Sequence, residues 1–183
     1  MPGPRDEHIV ALPANTAIRH AAVLVPLVPR EDDVHVLLTQ RTAHLNSHPG
    51  QISFPGGRVE GGDQDRIETA LREAEEEIGL TRAQVMVLGS LPDYDIPSGF
   101  RISPVIGWVE PPFTLTLDPY EVESAFEVPL SFLLDAANHE YRRYAFNGRE
   151  RAYLAMPYKG RYIWGATAGM LQRLSQQLGG EPA

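Results

Sequence analysis

The most informative segment of this chain is Arg72-Glu73-Ala74-Glu75-Glu76-Glu77-Ile78-Gly79-Leu80. It closes a helical pattern over residues 66–78, in which apolar residues recur at helical spacing and a glycine follows as terminator. On such a helix Glu73, Glu76 and Glu77 stand at i, i+3 and i+4, so their carboxylates share one face. The sequence therefore predicts a helix with one apolar stripe and one strongly acidic face.

A glycine-rich loop precedes this helix. Residues 42–62 are rich in Gly, Pro, Ser, Asn and His, with Phe54-Pro55-Gly56-Gly57 among them. Repulsion among three carboxylates, roughly a few tenths of a kcal/mol per pair, is tolerable on a solvated surface, so a plain charged face also accounts for the acidic cluster. That interpretation leaves the adjacent loop and Arg72 unexplained. A hard divalent cation such as Mg²⁺ takes oxygen ligands and would neutralise the cluster.

Hydrophobic patterns along the rest of the chain predict an α/β (α+β) fold. Strands are predicted over residues 21–28, 34–39, 85–91, 102–109, 140–146 and 150–156, and further helices over residues 131–137 and 166–178. Asn147-Gly148, between the last two strands, is a strong hairpin signal. Hairpins mixed with helices favour a mixed β-sheet sandwiched between helices, in three layers (α/β/α), over an all-parallel sheet.

Composition bounds the class of protein. The 183 residues are 43% hydrophobic and 22% charged, so we predict a single domain over residues 1–183, with residues 1–17 as an N-terminal extension. With no apolar run of about 20 residues and no signal-peptide layout, we expect a cytoplasmic protein with no membrane partner. Zero cysteines exclude thiolate chemistry. A net charge of −8 argues against nucleic acid as partner but permits a local basic pocket.

The sequence resembles the Nudix hydrolase family, whose box reads G-x5-E-x7-R-E-U-x-E-E-x-G-U, with U an aliphatic residue. The second half of the box, residues 72–80, is in register with this pattern. Counting forward from Gly57, Asp63 stands where the family has Glu, and eight residues rather than seven separate it from Arg72. We interpret the extra residue as a loop insertion that leaves the helical ligands undisturbed.

This resemblance implies a metal-dependent pyrophosphohydrolase. Glu73, Glu76 and Glu77 would hold Mg²⁺ or Mn²⁺, with the Gly56 carbonyl as a further ligand. Such ions polarise a phosphoryl oxygen, supply a hydroxide-like water and neutralise the leaving phosphate.

Further catalytic roles follow from the same resemblance. Arg72 would orient a glutamate of the box rather than touch substrate. Three residues remain candidates for the general base: Glu76 on the helix, and Glu121 and Glu123 in the later segment. For the last two, a plain surface carboxylate is an equally good interpretation.

A second signature points to the substrate. Residues 37–42 and 50–57 are similar to the coenzyme A (CoA) pyrophosphatase branch, which reads L-L-T-x-R-[SA]-x3-R-x3-G-x3-F-P-G-G. Thr42 occupies the Ser/Ala position and Asn46 the second Arg position. Residues 126–130 and 163–168 also resemble that branch. The resemblance implies hydrolysis of CoA to 3′,5′-ADP and 4′-phosphopantetheine.

CoA is an anionic small molecule with an adenine ring and a long arm, so its site needs cations and apolar surface. Arg41 and Arg58, beside the glycine loop, are the predicted phosphate contacts, although surface salt bridges also account for them. Gln51 and Phe54 complete the predicted substrate-binding set, with Phe54 either a floor for substrate or a loop anchor.

Two alternatives stay open at this point. Asn46 removes a cation that the branch has, which favours another diphosphate such as ADP-ribose or a dinucleoside polyphosphate. The other alternative is a Nudix-like module that binds a nucleotide without cutting it, although all the carboxylates in the second half of the box are present here. The sequence indicates no particular oligomeric state.

Overall fold

The computed structural model describes residues 17–45, 48–146 and 149–179. Asn46, the predicted turn Asn147-Gly148 and residues 1–16 of the predicted extension lie outside the described residues. Its strands are β1 (Arg19–Pro29), β2 (Val34–Arg41), β3 (Ile52–Ser53), β4 (Gly56–Arg58), β5 (Val85–Ser90), β6 (Tyr94–Ile96), β7 (Phe100–Val109), β8 (Val122–Pro129), β9 (Glu140–Phe146), β10 (Arg149–Tyr158) and β11 (Arg161–Trp164). Its α-helices are α1 (Arg66–Ile78), α2 (Leu130–Leu134) and α3 (Ala166–Gln177).

A mixed sheet of eight strands organises the molecule. Its main path runs β3-β2-β1-β7-β5, with β4 paired to β1, β6 to β7 and β8 to β2. Strands β1 and β7 run parallel, from the pair Arg19–Phe100 to the pair Leu27–Trp108, and the other pairs are antiparallel. A separate antiparallel sheet contains β11, β10 and β9.

The glycine loop enters the main sheet through a gap. Strand β1 pairs with β2 only over Leu27–Pro29, and β4 pairs with β1 at Ala21–Val23. Because β1 and β2 separate beyond their hairpin end, β4 fits between them. A β-carbon at Gly56 would stand 2.4 Å from the Ala22 carbonyl oxygen, so only glycine permits this approach.

Helix α1 has the bounds that the sequence predicts. It begins after Asp65, whose side chain accepts a hydrogen bond from the Glu68 backbone N–H at 2.8 Å. It ends at Gly79, which has a left-handed backbone with φ of 70°. Its apolar stripe packs against one face of the sheet in a buried cluster that includes Ala22, Leu24, Ala70, Leu71, Ala74, Ile78 and Val105.

Helices α2 and α3 and the smaller sheet cover the opposite face. Their cluster includes Val25, Leu38, Phe54, Leu133, Leu154, Met156, Ile163 and Leu171. The predicted sandwich of a mixed sheet between helices is therefore confirmed. The predicted helix over residues 131–137 was too long, because Asp135 has an extended backbone and its side chain caps a separate short 3-10 turn.

Strands β8 and β11 and the short strands β3, β4 and β6 were not predicted. Within the described ranges, no helix combines the length and the apolar character that crossing a membrane requires.

Candidate active site

The three glutamates of the acidic helix differ in exposure. The side chain of Glu77 is 6% exposed and that of Glu73 is 16% exposed, whereas that of Glu76 is 60% exposed. The predicted common face is thus divided: two carboxylates are turned under the glycine loop and the third lies at its edge.

Burial changes the protonation of these two carboxyl groups. It raises the pKa of Glu77 to about 8, against the nearby charge of Arg41, and the carboxylates of Glu73 and Glu121 raise it further. Burial also raises the pKa of Glu73, although the charge of Arg72 opposes this shift. These two desolvated carboxyl groups lie close together, and a bound cation would offset the free-energy cost of burying them.

The glycine loop lies directly against these carboxylates. A β-carbon at Gly57 would stand 2.4 Å from Oε1 of Glu73, and the backbone N–H of Gly56 donates a long 3.4 Å hydrogen bond to Oε2 of Glu77. Two glycines in sequence therefore allow backbone and carboxylates to meet without a side chain between them.

Asp63 occupies the position where the Nudix box has Glu, and it still contacts Arg72. Arg72 Nε donates to Asp63 Oδ1 at 2.9 Å and Arg72 Nη2 donates to Oδ2 at 3.1 Å. These hydrogen bonds, together with those from the Glu60 N–H and the Thr69 hydroxyl, hold the pKa of Asp63 far below its usual range. The extra loop residue has therefore not displaced this carboxylate.

From this anchor Arg72 reaches the helix. Its Nη1 donates to Glu73 Oε1 at 3.0 Å and to Glu76 Oε2 at 3.2 Å. Its Nη2 also donates to the carbonyl of Arg58 on β4 at 3.1 Å. Arg72 thus joins the loop, the strand and two glutamates, as expected of an orienting residue.

The predicted base candidates Glu121 and Glu123 are separated by the structure. The Thr42 hydroxyl donates to the Tyr120 carbonyl at 2.7 Å and its N–H donates to the Glu121 carbonyl at 3.0 Å, which holds this segment against the end of β2. Glu121 Oε2 lies 3.9 Å from Arg41 Nη2, and Arg41 Nη1 lies 3.9 Å from Glu77 Oε1. Glu121 therefore lies with the helical carboxylates.

Glu123 lies outside this group. Gln40 pairs with Ser124 and Arg41 pairs with Val122, so Glu123 is the residue that the irregularity in β8 leaves without an opposite partner. Its side chain is exposed.

A cavity of about 310 Å³ opens on the α3 side of the glycine loop. All four predicted substrate residues, Arg41, Gln51, Phe54 and Arg58, line it. Phe54 is 2% exposed and belongs to the core, so it both anchors the loop and forms cavity wall.

Apart from Phe54, the apolar part of the wall was not predicted. It comes from Ile96, Phe100, Ile102 and Met170, together with the start of α3. These residues come from β6, β7 and α3, and only the folded sheet brings them together, so no local spacing in the sequence identifies them.

A sequence model of the NUDIX domain matches residues 18–145. The chain belongs to the Nudix hydrolase family. A Yersinia enterocolitica protein named "Uncharacterized Nudix hydrolase NudL" is 42% identical over 160 residues, which cover 87% of this chain and 81% of that protein. The Escherichia coli K12 protein of the same name is 39% identical over 165 residues, covering 90% and 85% respectively.

Solved Nudix structures share the architecture of this Nudix hydrolase. RenU from M. smegmatis, a Nudix hydrolase, superposes with a TM-score of 0.61 at 20% identity, covering 90% of this chain and 88% of that one. The Nudix domain of Shewanella oneidensis NrtR, solved with ADP ribose, gives 0.55 at 16% identity, covering 88% and 89%. At these identities the likeness shows the fold alone.

Members of this family generally use divalent ions such as Mg²⁺ or Mn²⁺. Across the part of the chain that the structure describes, no three His, Cys, Asp or Glu side chains already form a metal-binding group. The donor chemistry nevertheless fits a hard cation, because the carboxylates of Glu73 and Glu77 lie against the backbone of Gly56-Gly57, and carboxylate and carbonyl oxygens are the ligands that such a cation takes.

Proposed function

We propose that this Nudix hydrolase cleaves the diphosphate bond of CoA in a metal-dependent reaction, releasing 3′,5′-ADP and 4′-phosphopantetheine. The observation that carries the proposal is the position of the 310 Å³ cavity, which has apolar walls and arginines. Gly56 and Gly57 line it, and their backbone lies against the carboxylates of Glu73 and Glu77. The similarity of residues 37–57 to the CoA pyrophosphatase signature supports the choice of substrate.

In this proposal Glu73, Glu76, Glu77 and the Gly56 carbonyl hold Mg²⁺ or Mn²⁺. When bound, the ions polarise the phosphoryl oxygen and acidify a water. Glu76, which is exposed and held at 3.2 Å by Arg72 Nη1, completes the set from the edge of the site. Arg72 fixes the orientation of Glu73 and Glu76 through its own anchor at Asp63.

Arg41 and Arg58 bind phosphate groups of the substrate. Both of the described ion pairs of Arg41 are long, 3.9 Å, and its buried Nε has no hydrogen-bond partner among the described residues. A buried donor without an acceptor costs free energy, and an anionic oxygen in the cavity would satisfy it. Arg58 follows Gly57 on β4 and lines the same cavity.

Glu121 accepts the proton of the attacking water. Of the three candidates it is the one that lies beside Arg41 and Glu77, whereas Glu76 is paired with Arg72 and Glu123 is exposed at the irregularity of β8. Glu121→Gln should lower kcat by about 10²–10⁴-fold, the usual contribution of a general base. Glu123→Gln, two residues along the same segment, is the matched control and should leave kcat unchanged. Equal kcat values in the two variants would remove this role from Glu121.

The apolar wall accepts the pantetheine arm or the adenine ring. Ile96, Ile102 and Met170 offer apolar contact surface. Inorganic pyrophosphate has no apolar group that could contact it. We therefore expect CoA to be cleaved with a far higher kcat/KM than inorganic pyrophosphate.

The test is incubation of the purified protein with CoA and Mn²⁺ or Mg²⁺, followed by identification of the products by mass spectrometry. The expected result is 3′,5′-ADP and 4′-phosphopantetheine, with no products when the metal is chelated. Absence of CoA cleavage with both metals would reject the proposal.

The alternative substrate class is another nucleoside diphosphate derivative, such as ADP-ribose or a dinucleoside polyphosphate. Asn46, which stands where the CoA branch has Arg, favours it. Values of kcat/KM for a panel of these diphosphates decide between the two classes. Tight binding of a nucleotide without cleavage of any member of the panel would instead indicate a binding module.

A further inference from the structure

A pair of arginines flanks one aromatic ring at the rim of the cavity. The guanidinium carbon of Arg19 lies 4.0 Å from the centroid of Phe100, and that of Arg58 lies 5.2 Å from the same centroid. Phe100 and Arg58 line the cavity, so Arg19 extends its basic rim. Both guanidinium groups belong to exposed residues.

The register of the sheet fixes this arrangement. Arg19 and Phe100 are direct partners in the parallel pair β1–β7, and the Arg19 backbone N–H donates to the Gly99 carbonyl at 2.9 Å. Arg58 is the partner of Ala21 in β4–β1, and Ile102 is the partner of Ala21 in β1–β7. Side chains alternate along a strand, so Arg19 and Ala21 share the face of β1 that borders the cavity.

These two positive charges have no carboxylate partner in the part of the chain that the structure describes. Among the described residues, neither Arg19 nor Arg58 forms an ion pair, although the whole chain carries a net charge of −8. Asp95 on β6 is already bound by Arg101 through both carboxylate oxygens, at 2.8 Å each. Arg19 Nη2 donates to the Ser98 carbonyl at 2.7 Å, which fixes the side chain without neutralising it. The rim of the cavity therefore offers two guanidinium groups that can bind an anion.

We propose that Arg19 and Arg58, held on the ring of Phe100, bind a phosphomonoester on the ribose of the substrate, which in CoA is the 3′-phosphate. This inference rests on the proposed function, since it assigns the selectivity of that same site. Strand β4 links the two positions: Gly57 lies over Glu73, and the next residue, Arg58, lies at the Phe100 ring. The phosphomonoester therefore binds at Arg58, one residue further along β4 than Gly57, which lies beside the site of the diphosphate. Arg19 and Phe100 become specificity-determining residues that do not touch the reacting atoms.

The experiment compares CoA with dephospho-CoA, which lacks only the 3′-phosphate. Wild-type protein should show a kcat/KM about tenfold higher for CoA, the size expected of one exposed charge-assisted contact. Arg19→Gln should lower kcat/KM for CoA about tenfold and leave that for dephospho-CoA unchanged. Phe100→Leu, which removes the ring that positions both arginines, should reduce the same preference. The matched control is Arg82→Gln, at an exposed arginine just beyond α1, which should change neither value.

Equal kcat/KM for CoA and dephospho-CoA in the wild type would overturn the inference while leaving the proposed function intact. So would an Arg19→Gln effect of the same size on both substrates. If CoA is not cleaved at all, the proposed function fails, and calorimetry with 3′,5′-ADP and 5′-AMP still decides the inference. Binding of 3′,5′-ADP about tenfold tighter than that of 5′-AMP, with the difference lost in Arg19→Gln, supports the phosphomonoester site. Equal binding of the two nucleotides contradicts it.

Discussion

The carboxylate of Glu73 lies directly beneath the α-carbon of Gly57, so closely that a β-carbon on the glycine would stand 2.4 Å from Oε1 and 2.6 Å from Oε2. The contact joins the acidic helix to the loop that carries the predicted carbonyl ligand. It explains why this part of the box needs a glycine, in terms of space rather than backbone angle.

Replacing that glycine should disable the enzyme. Gly57→Ala would push the Glu73 carboxylate out of position, and a displacement of about 1 Å at a catalytic group costs on the order of 100-fold in rate. The measurement is kcat with CoA and Mn²⁺, alongside circular dichroism to check folding. Gly61→Ala is the matched control, because a β-carbon there meets nothing within 4 Å. Equal activity of the two variants would show that the close contact is irrelevant to catalysis.

The anchoring pair of Asp63 and Arg72 should support both stability and activity. Asp63→Asn removes a charged acceptor from an almost fully buried side chain, so we expect a loss of about 2 kcal/mol in unfolding free energy. We also expect kcat to fall at least about tenfold, because Arg72 then no longer holds Glu73 and Glu76 in place.

Urea unfolding and steady-state kinetics measure these two effects. The control is Glu127→Gln, which breaks another two-pronged arginine pair, with Arg30. That variant should lose stability and keep kcat. Retention of full activity in Asp63→Asn would argue against an orienting role for the pair.

The raised pKa of Glu77 should make the stability of the metal-free protein depend on pH. In the metal-free protein its folded pKa is about 8, against an ordinary value of 4.5 that the unfolded chain would have. Between about pH 4.5 and pH 8, the folded state therefore keeps a proton that the unfolded state loses. The resulting contribution to stability is complete below about pH 4.5 and is lost as pH rises through about 8.

The melting temperature Tm, measured in the presence of a chelator, should fall more steeply between pH 5 and pH 8 in wild type than in Glu77→Gln. Adding Mn²⁺ at pH 8 should restore the Tm of the wild type but not of the variant. Parallel Tm curves for the two proteins would contradict the assignment.

Removal of single box glutamates should separate activity from folding. Glu76→Gln and Glu77→Gln should both abolish turnover with little loss of stability, since Glu76 is largely exposed and glutamine is a neutral isostere of protonated Glu77. Enzyme assays at saturating Mn²⁺ with matched thermal melts provide the measurement. Unchanged activity in both variants would reject the ligand assignment for this helix.

Local patterns in the sequence predict part of this molecule well. Residues 66–78 form the expected helix, because apolar spacing, the Asp65 cap and the Gly79 stop all lie within the segment itself. The strongly alternating or valine-rich strands β1, β2, β5 and β7 also lie where predicted, within a few residues.

The rest depends on contacts between distant segments. Strand β8 alternates poorly, because it carries an irregularity opposite Arg41, and it pairs with β2 from 80 or more residues away. The i, i+3, i+4 spacing of the three glutamates does not reveal that Glu77 is buried and Glu76 exposed, since the loop and Arg72 decide that difference. The Arg19–Phe100 contact exists only through the parallel pairing of β1 with β7.

Anomalous X-ray diffraction from crystals of the protein grown with Mn²⁺ would locate the metal ions directly. We expect manganese peaks within coordination distance, roughly 2.0–2.4 Å, of carboxylate oxygens of Glu73 and Glu77 and of the Gly56 carbonyl. Well-ordered crystals in which manganese is absent there, with these side chains directed away from the glycine loop, would contradict this expectation.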